Sequence, residues 1–193
     1  MRNSAIVIIL IFIVLFTACN NNSNAPKDTA TVAPLKEDLV KRGEYLVQIT
    51  GCNDCHSPKR MGANGPEIIP ELMLSGYSSK TPLPKIDKTF TGAGFAAFAP
   101  DLTAAAGPWG ISFAGNLTPD ATGIGTWTEE QFKKAFTQGK FKGQDGGRML
   151  LPPMPWYNFT TMANDDVKAI FNYLKSIKPV KNVVPLPIAP EKI

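Results

Sequence analysis

The chain has 193 residues, a formal net charge of +4, 44% hydrophobic and 19% charged residues, and only three Cys and one His. That length suits one domain with an ample core, while a single His excludes every site built from two or more histidines and three Cys are too few for a disulfide-stapled scaffold. Gly and Pro together number 33, well above the usual share of roughly 12%, so turns and loops must occupy much of the molecule.

Arg2 precedes an unbroken apolar run of twelve residues from Ala5 to Phe16. A bilayer-spanning helix needs roughly 20 apolar residues, so the run is short for an anchor and suits a secretory segment. It ends in Phe16-Thr17-Ala18-Cys19, small residues leading into a cysteine, which resembles the lipobox of bacterial lipoproteins although Phe16 stands where Leu is commoner. The resemblance implies that 1–18 is a signal peptide, that Cys19 is lipidated, and that the protein is exported and tethered on the periplasmic side of a bacterial membrane. An ordinary signal peptide with an incidental Cys, or an uncleaved anchor, are the other readings. Without residues 1–18 the charge falls to +3, a balance that points away from nucleic acid as a partner.

Residues 19–35 are polar, Asn-rich and low in complexity, as a tether should be. A domain follows over 36–185, with 186–193 as a C-terminal tail. From Lys36 to Thr50, apolar Leu39, Val40, Leu46, Val47 and Ile49 recur near helical spacing. Gly43 costs this helix about 1 kcal/mol against Ala; close approach by another helix would justify it, and simple tolerance is an equal reading. Residues 57–127 hold 18 Gly plus Pro without a sustained helical period, and Phe90, Phe95, Phe98, Trp109 and Phe113 give them apolar groups to bury, so short strands and turns are expected. A helix over 128–138 is well signalled: Thr128 caps it, Gln131 completes a capping box, Trp127 staples onto Phe132, and Gly139 stops it. A last helix from about Ala163 to Ile177 presents Val167, Ile170, Phe171 and Leu174 on one face and ends before Pro179.

Cys52-Asn53-Asp54-Cys55-His56 is the decisive motif. Two thiols three positions apart, followed by an imidazole, suit covalent capture of one heme c: the sulfurs add to the vinyl groups and the adjacent ring nitrogen reaches the iron. A thioredoxin-like dithiol would need a strand before the motif, whereas a helix precedes it. Zinc needs four ligands, and beyond these three only Cys19 offers another sulfur or nitrogen. The sixth iron ligand cannot be a second His. Met154, fixed among Pro152, Pro153 and Pro155, is the first candidate, Met149 the next, and an open or water-bound position the last. Met61 lies too near His56, and Met162 suits the core.

The order of helix, Cys-Xaa-Xaa-Cys-His, long loop region, Met loop and C-terminal helix resembles class I cytochrome c. Gly115-Asn116-Leu117-Thr118-Pro119-Asp120, Thr122-Gly123-Ile124-Gly125-Thr126-Trp127-Thr128, Met154-Pro155-Trp156-Tyr157 and Ala169-Ile170-Phe171-Asn172-Tyr173-Leu174 are similar to the cytochrome c domains found with membrane-bound dehydrogenases and in related periplasmic cytochromes. The resemblance implies a mainly all-α fold around one covalently bound heme, with 57–127 as a long Gly/Pro-rich insertion. It gives Gly43 a crossing partner in Phe171 or Tyr173, and it puts Asn116, Trp109 and Arg148 within reach of heme propionates. The expected function is single-electron transfer between redox partner proteins (a dehydrogenase, an oxidase or other cytochromes), without catalysis by the chain itself. Lys133, Lys134, Lys140, Lys142 and Arg148 offer a basic docking rim, or simply a solvated face. The rival readings are a dedicated cytochrome subunit of a dehydrogenase or oxidase complex, and a peroxide- or gas-reactive protein whose Met ligand is labile.

Overall fold

A computed structural model describes residues 35–83 and 85–193; the expected signal peptide, Cys19 and the tether up to residue 34 lie outside them. Five helices occur among the described residues: α1 (Lys36–Ile49), α2 (Cys52–His56), α3 (Lys88–Gly92), α4 (Glu129–Gln138) and α5 (Asn164–Ser176). The three long ones fall where the apolar periodicity puts them. Glu37 and Asp38 occupy the first turn of α1, and Asp165 and Asp166 that of α5, where negative charge is favourable beside free backbone N–H groups. Thr128 and Gln131 form the expected reciprocal capping box, and Gly139 ends α4 in the left-handed conformation at φ 67°.

The core forms where these helices meet. Leu46 and Val47 of α1, Phe132 and Phe136 of α4, and Val167, Ala169, Ile170, Phe171 and Leu174 of α5 are buried together with Leu74 and Ile124 from the loops. Full burial of a side chain such as Ile170 or Leu174 contributes about 1.5–3 kcal/mol. Phe132 lies 5.5 Å from Phe136 and 5.4 Å from Phe171 between ring centroids, and Phe136 stacks on Phe159 at 4.4 Å.

Helices α1 and α5 cross at Gly43. A Cβ there would stand 2.7 Å from Tyr173 Cβ, 2.6 Å from the Ala169 carbonyl carbon and nearer still to its oxygen. The close approach is therefore real, and the partners are the Ala169 backbone and Tyr173 rather than Phe171. Arg42 spans the same crossing, donating from Nε and Nη2 to the two carboxylate oxygens of Asp166 at 2.9 and 3.2 Å.

Residues 57–127 make the fold less helical than the mainly all-α expectation. They hold two small antiparallel sheets: the hairpin β1 (Lys59–Gly62) with β2 (Gly65–Ile68), and the three-stranded β3 (Ala97–Phe98), β4 (Ala104–Gly107) and β5 (Gly110–Phe113). All four residues of β4, three Ala and one Gly, are buried. Tyr77 packs there with its ring 4.7 Å from Phe113, beside Ala99 and Ala104. The tail is not free of the sheet: Ile188 exchanges backbone hydrogen bonds with Ile111 at 2.8 and 2.9 Å.

Replacing Gly43 by Ala sets two effects against each other. Helix propensity gains about 1 kcal/mol, but the added methyl meets a backbone carbonyl that cannot rotate away, and overpacking of this kind costs about 1–3 kcal/mol. The expected outcome is net destabilisation, larger for Gly43→Val, read as a lower midpoint of denaturant unfolding at unchanged slope.

Candidate heme-binding site

Helix α1 delivers the motif. It ends at Thr50, Gly51 turns the chain at φ 71°, and Cys52 to His56 form one short helical segment. The Thr50 hydroxyl donates to the Leu46 carbonyl at 2.8 Å and lies 3.4 Å from Cys52 Sγ. Cys52 and Cys55 are half-buried and free rather than joined to each other. Burial pushes both thiols up; for Cys52 the Thr50 hydrogen bond opposes this, and for Cys55 the Asp54 carboxylate adds to it.

His56 is oriented by a single contact: Nδ1 lies 2.8 Å from the Gly115 carbonyl oxygen. A carbonyl can only accept, so Nδ1 carries the proton and Nε2 keeps its lone pair. Burial is the largest influence on the ring and holds its pKa below the ordinary value, which favours the neutral imidazole that a metal requires. The loop bearing Gly115 is itself fixed. Gly76 donates to the His56 carbonyl at 2.7 Å, Tyr77 to Ala114 at 3.0 Å, and Leu117 to Leu74 at 2.9 Å. Gly76, at φ 77°, lies flat on Gly115: a Cβ there would be 2.6 Å from the Gly115 carbonyl.

Two further residues of the site went unnoticed in the sequence. Ser57, fully buried, donates to Asn53 Oδ1 at 2.7 Å and accepts from the Leu74 N–H at 2.8 Å. Lys59 directs its ammonium at the carbonyls of Asn53, Asp54, Ser57 and Asp101, between 2.7 and 3.2 Å. Three N–H donors thus serve four acceptors at the end of α2, where positive charge is favourable. A Lys three residues beyond the His is the only hint the sequence carried.

Exposure separates two of the methionines from the rest. Met61 is 74% exposed on β1 and Met149 is 44% exposed. Met73, Met154 and Met162 are all half-buried and pack against the main core cluster, as does Cys52. The Met154 loop is held from outside: Ser112 of β5 donates to the Pro152 carbonyl at 2.5 Å, and Leu150 donates to Gly139 at 2.7 Å. The Pro152–Pro153 peptide is cis.

The residues expected to reach heme propionates have partners within the protein. Asn116 is buried and spends its amide on Val180, Thr122 and Thr118, bracing the loop. Trp109 donates to Ser112 at 3.2 Å beside the β4–β5 turn, and Arg148 lies over the Phe141 ring at 3.6 Å. In the basic rim, Lys134 and Lys140 both converge on Asp145, the former at 2.6 Å. One carboxylate therefore offsets part of that positive charge.

The donor set fits heme c: two free thiols on one helical turn, a neutral imidazole with Nε2 available, and half-buried thioethers packed against the apolar cluster that Cys52 also touches. Bound there, heme would supply an iron that changes oxidation state by one electron. These features define the class of proteins that attach heme covalently through Cys-Xaa-Xaa-Cys-His. The sequence profile described as cytochrome c matches residues 40–178; the chain belongs to the cytochrome c family. It is 27% identical over 87% of its length to the fructose dehydrogenase cytochrome subunit of Gluconobacter japonicus, covering 28% of that protein. It is 30% identical over 79% of its length to the gluconate 2-dehydrogenase cytochrome c subunit of Pantoea cypripedii, covering 27% of it. It is 37% identical over 74% of its length to an alcohol dehydrogenase (quinone) cytochrome c subunit of Gluconacetobacter polyoxogenes, covering 23% of it. The chain thus spans about a quarter of the length of these relatives.

Hydrogen bonds from Lys134 and Lys140 lower the Asp145 pKa from 3.8 to about 2. A depressed carboxylate contributes stability that is present above its unfolded pKa and lost as pH falls through the folded one. The stability difference between the protein and Asp145→Asn should therefore shrink between about pH 4 and pH 2, as followed by unfolding at a series of pH values.

Proposed function

We propose that the chain is a membrane-tethered monoheme cytochrome that passes single electrons between extracytoplasmic redox proteins. The observation that carries this reading is the short helical segment Cys52–His56, with both thiols free and His56 Nδ1 committed to the Gly115 carbonyl. Cys52 and Cys55 hold one heme c covalently, His56 is the first axial ligand, and Met154 is the second. Family membership and the prolines that fix the backbone on both sides of Met154 support this assignment. The chain's part in the transfer is to hold both ligands, keep water from the iron and leave the docking face accessible.

In this reading residues 1–18 are a lipoprotein signal peptide, Cys19 carries the lipid, 19–35 are the tether and 36–185 the cytochrome c domain with the 186–193 tail. No helix among the described residues is long and apolar enough to cross a membrane, so attachment would depend on the N-terminal segment. Cys19→Ser should move the protein from the membrane fraction to the soluble periplasmic one.

The relatives named as cytochrome subunits of dehydrogenases favour a dehydrogenase as electron donor. They equally favour the narrower reading of a dedicated subunit, for which heme-stained protein would co-migrate with a dehydrogenase after mild detergent extraction.

Met154→Ala tests the ligand set. The oxidised protein should lose its methionine-to-iron charge-transfer band, bind exogenous ligands readily and show a lower midpoint potential, because thioether ligation favours the ferrous state. Unchanged spectra and potential would move the ligand to Met149 or Met73. Ready binding of CO by the unaltered protein would favour a gas- or peroxide-reactive heme.

A further inference from the structure

The segment after α5 does more than close the chain. Residues 178–184 run as a strap across the loop that carries Gly115, and Asn182 is its busiest residue. Its Nδ2 donates to the Ser75 and Tyr77 carbonyls at 2.8 and 2.9 Å. Those two carbonyls flank Gly76, the residue that lies flat against the Gly115 carbonyl and donates to the His56 carbonyl. The Asn182 backbone N–H donates to Thr122 Oγ1 at 3.0 Å. One position beyond Gly115, Asn116 returns its Nδ2 to the Val180 carbonyl at 2.8 Å, and Val180 donates its N–H to Thr118 at 3.1 Å. The strap thus grips both sides of one short hydrogen bond, with 75–77 on one side and 116–122 on the other.

We propose that Asn182 is a positioning residue for the proximal ligand: by clamping segment 75–77 to loop 115–122 it holds the Gly115 carbonyl against His56 Nδ1 and so helps set the reduction potential of the heme. This rests on the reading of His56 as an iron ligand. The physical basis is that an imidazole donating from Nδ1 to a fixed acceptor is a stronger base at Nε2 and favours the ferric state. When the acceptor loosens, that donation weakens and the potential rises. Asn supplies two donors from one short, stiff side chain, and both are used on carbonyls 75 and 77. Ser can offer only one donor, and Ala none. Gln offers both from a side chain one methylene longer.

The test uses the full chain matured with its heme. Heme content by alkaline pyridine spectrum comes first: no covalent heme on the unaltered protein would overturn the ligand assignment and this inference with it. Asn182→Ala should then retain a full covalent heme, shift the midpoint potential to more positive values and speed solvent exchange of the His56 Nδ1 proton. Asn182→Gln should restore part of both. Thr128→Ala serves as comparison, because it removes the capping box of α4 and none of the hydrogen bonds of the strap, and should leave potential and exchange unchanged. If Asn182→Ala does not accumulate, Asn182→Ser should give a smaller shift in the same direction. Loss of stability by either Asn182 variant with the potential and exchange rate of the unaltered protein would make the strap merely structural and overturn the proposal.

Discussion

The crossing of α1 and α5 at Gly43 is the constraint on which the rest depends. A backbone-to-backbone approach fixes two rigid bodies far more tightly than contact between flexible side chains, since the Ala169 carbonyl leaves no room for adjustment. Because α1 ends directly in Thr50 and Gly51, its position fixes where Cys52, Cys55 and His56 begin. Because α5 carries Ile170, Phe171 and Leu174 into the same core as Leu46 and Val47, the motif is tied to the largest apolar cluster of the molecule. Packing energy far from the site is thereby converted into placement of three side chains.

The insertion completes what the helices cannot. A five-residue helical segment has no stability of its own, and α2 is held by groups from 57–127: Ser57 hydroxyl, Lys59 ammonium, Gly76 N–H and Gly115 carbonyl. Of these Lys59 is carried by β1, while β5 carries Ser112 to the Met154 loop. The region that dilutes the helical character of the fold is thus also the one that braces both sides of the candidate site.

Legibility in the sequence followed the range of the interactions. The capping box of Thr128 and Gln131, the apolar face of α5 and the Cys-Xaa-Xaa-Cys-His spacing are local patterns, and each reads directly. Gly43 could be flagged as costly but its partner could not be chosen, because the difference between Ala169 and Phe171 is one of helix rotation. The acceptor for His56 was not legible: a backbone carbonyl has no residue type, and Gly115 stood out only as the first residue of a segment that carries the family resemblance. Lys59 was missed for the related reason that a polar side chain does not announce whether it faces a ligand or its own backbone. The sheets were foreseeable only as a class, since alternation is lost in a strand such as Ala104–Gly107 that is buried on both faces.

The two loops nearest the proposed axial ligands share a design. Neither is stabilised only within itself: the Gly115 loop leans on segment 75–77 and the strap, and the Met154 loop on Ser112 and Gly139. Each brace comes from a different part of the chain, so loosening one need not loosen the other. For a protein that opens its sixth position to small ligands, a Met loop anchored at both Leu150 and Pro152 would be a hindrance. For one that must keep the same geometry before and after an electron arrives, it is an advantage, because little needs to move. With Met154 read as the sixth ligand, the hydrogen-bonding of residues 150–152 therefore argues for electron transfer over ligand exchange.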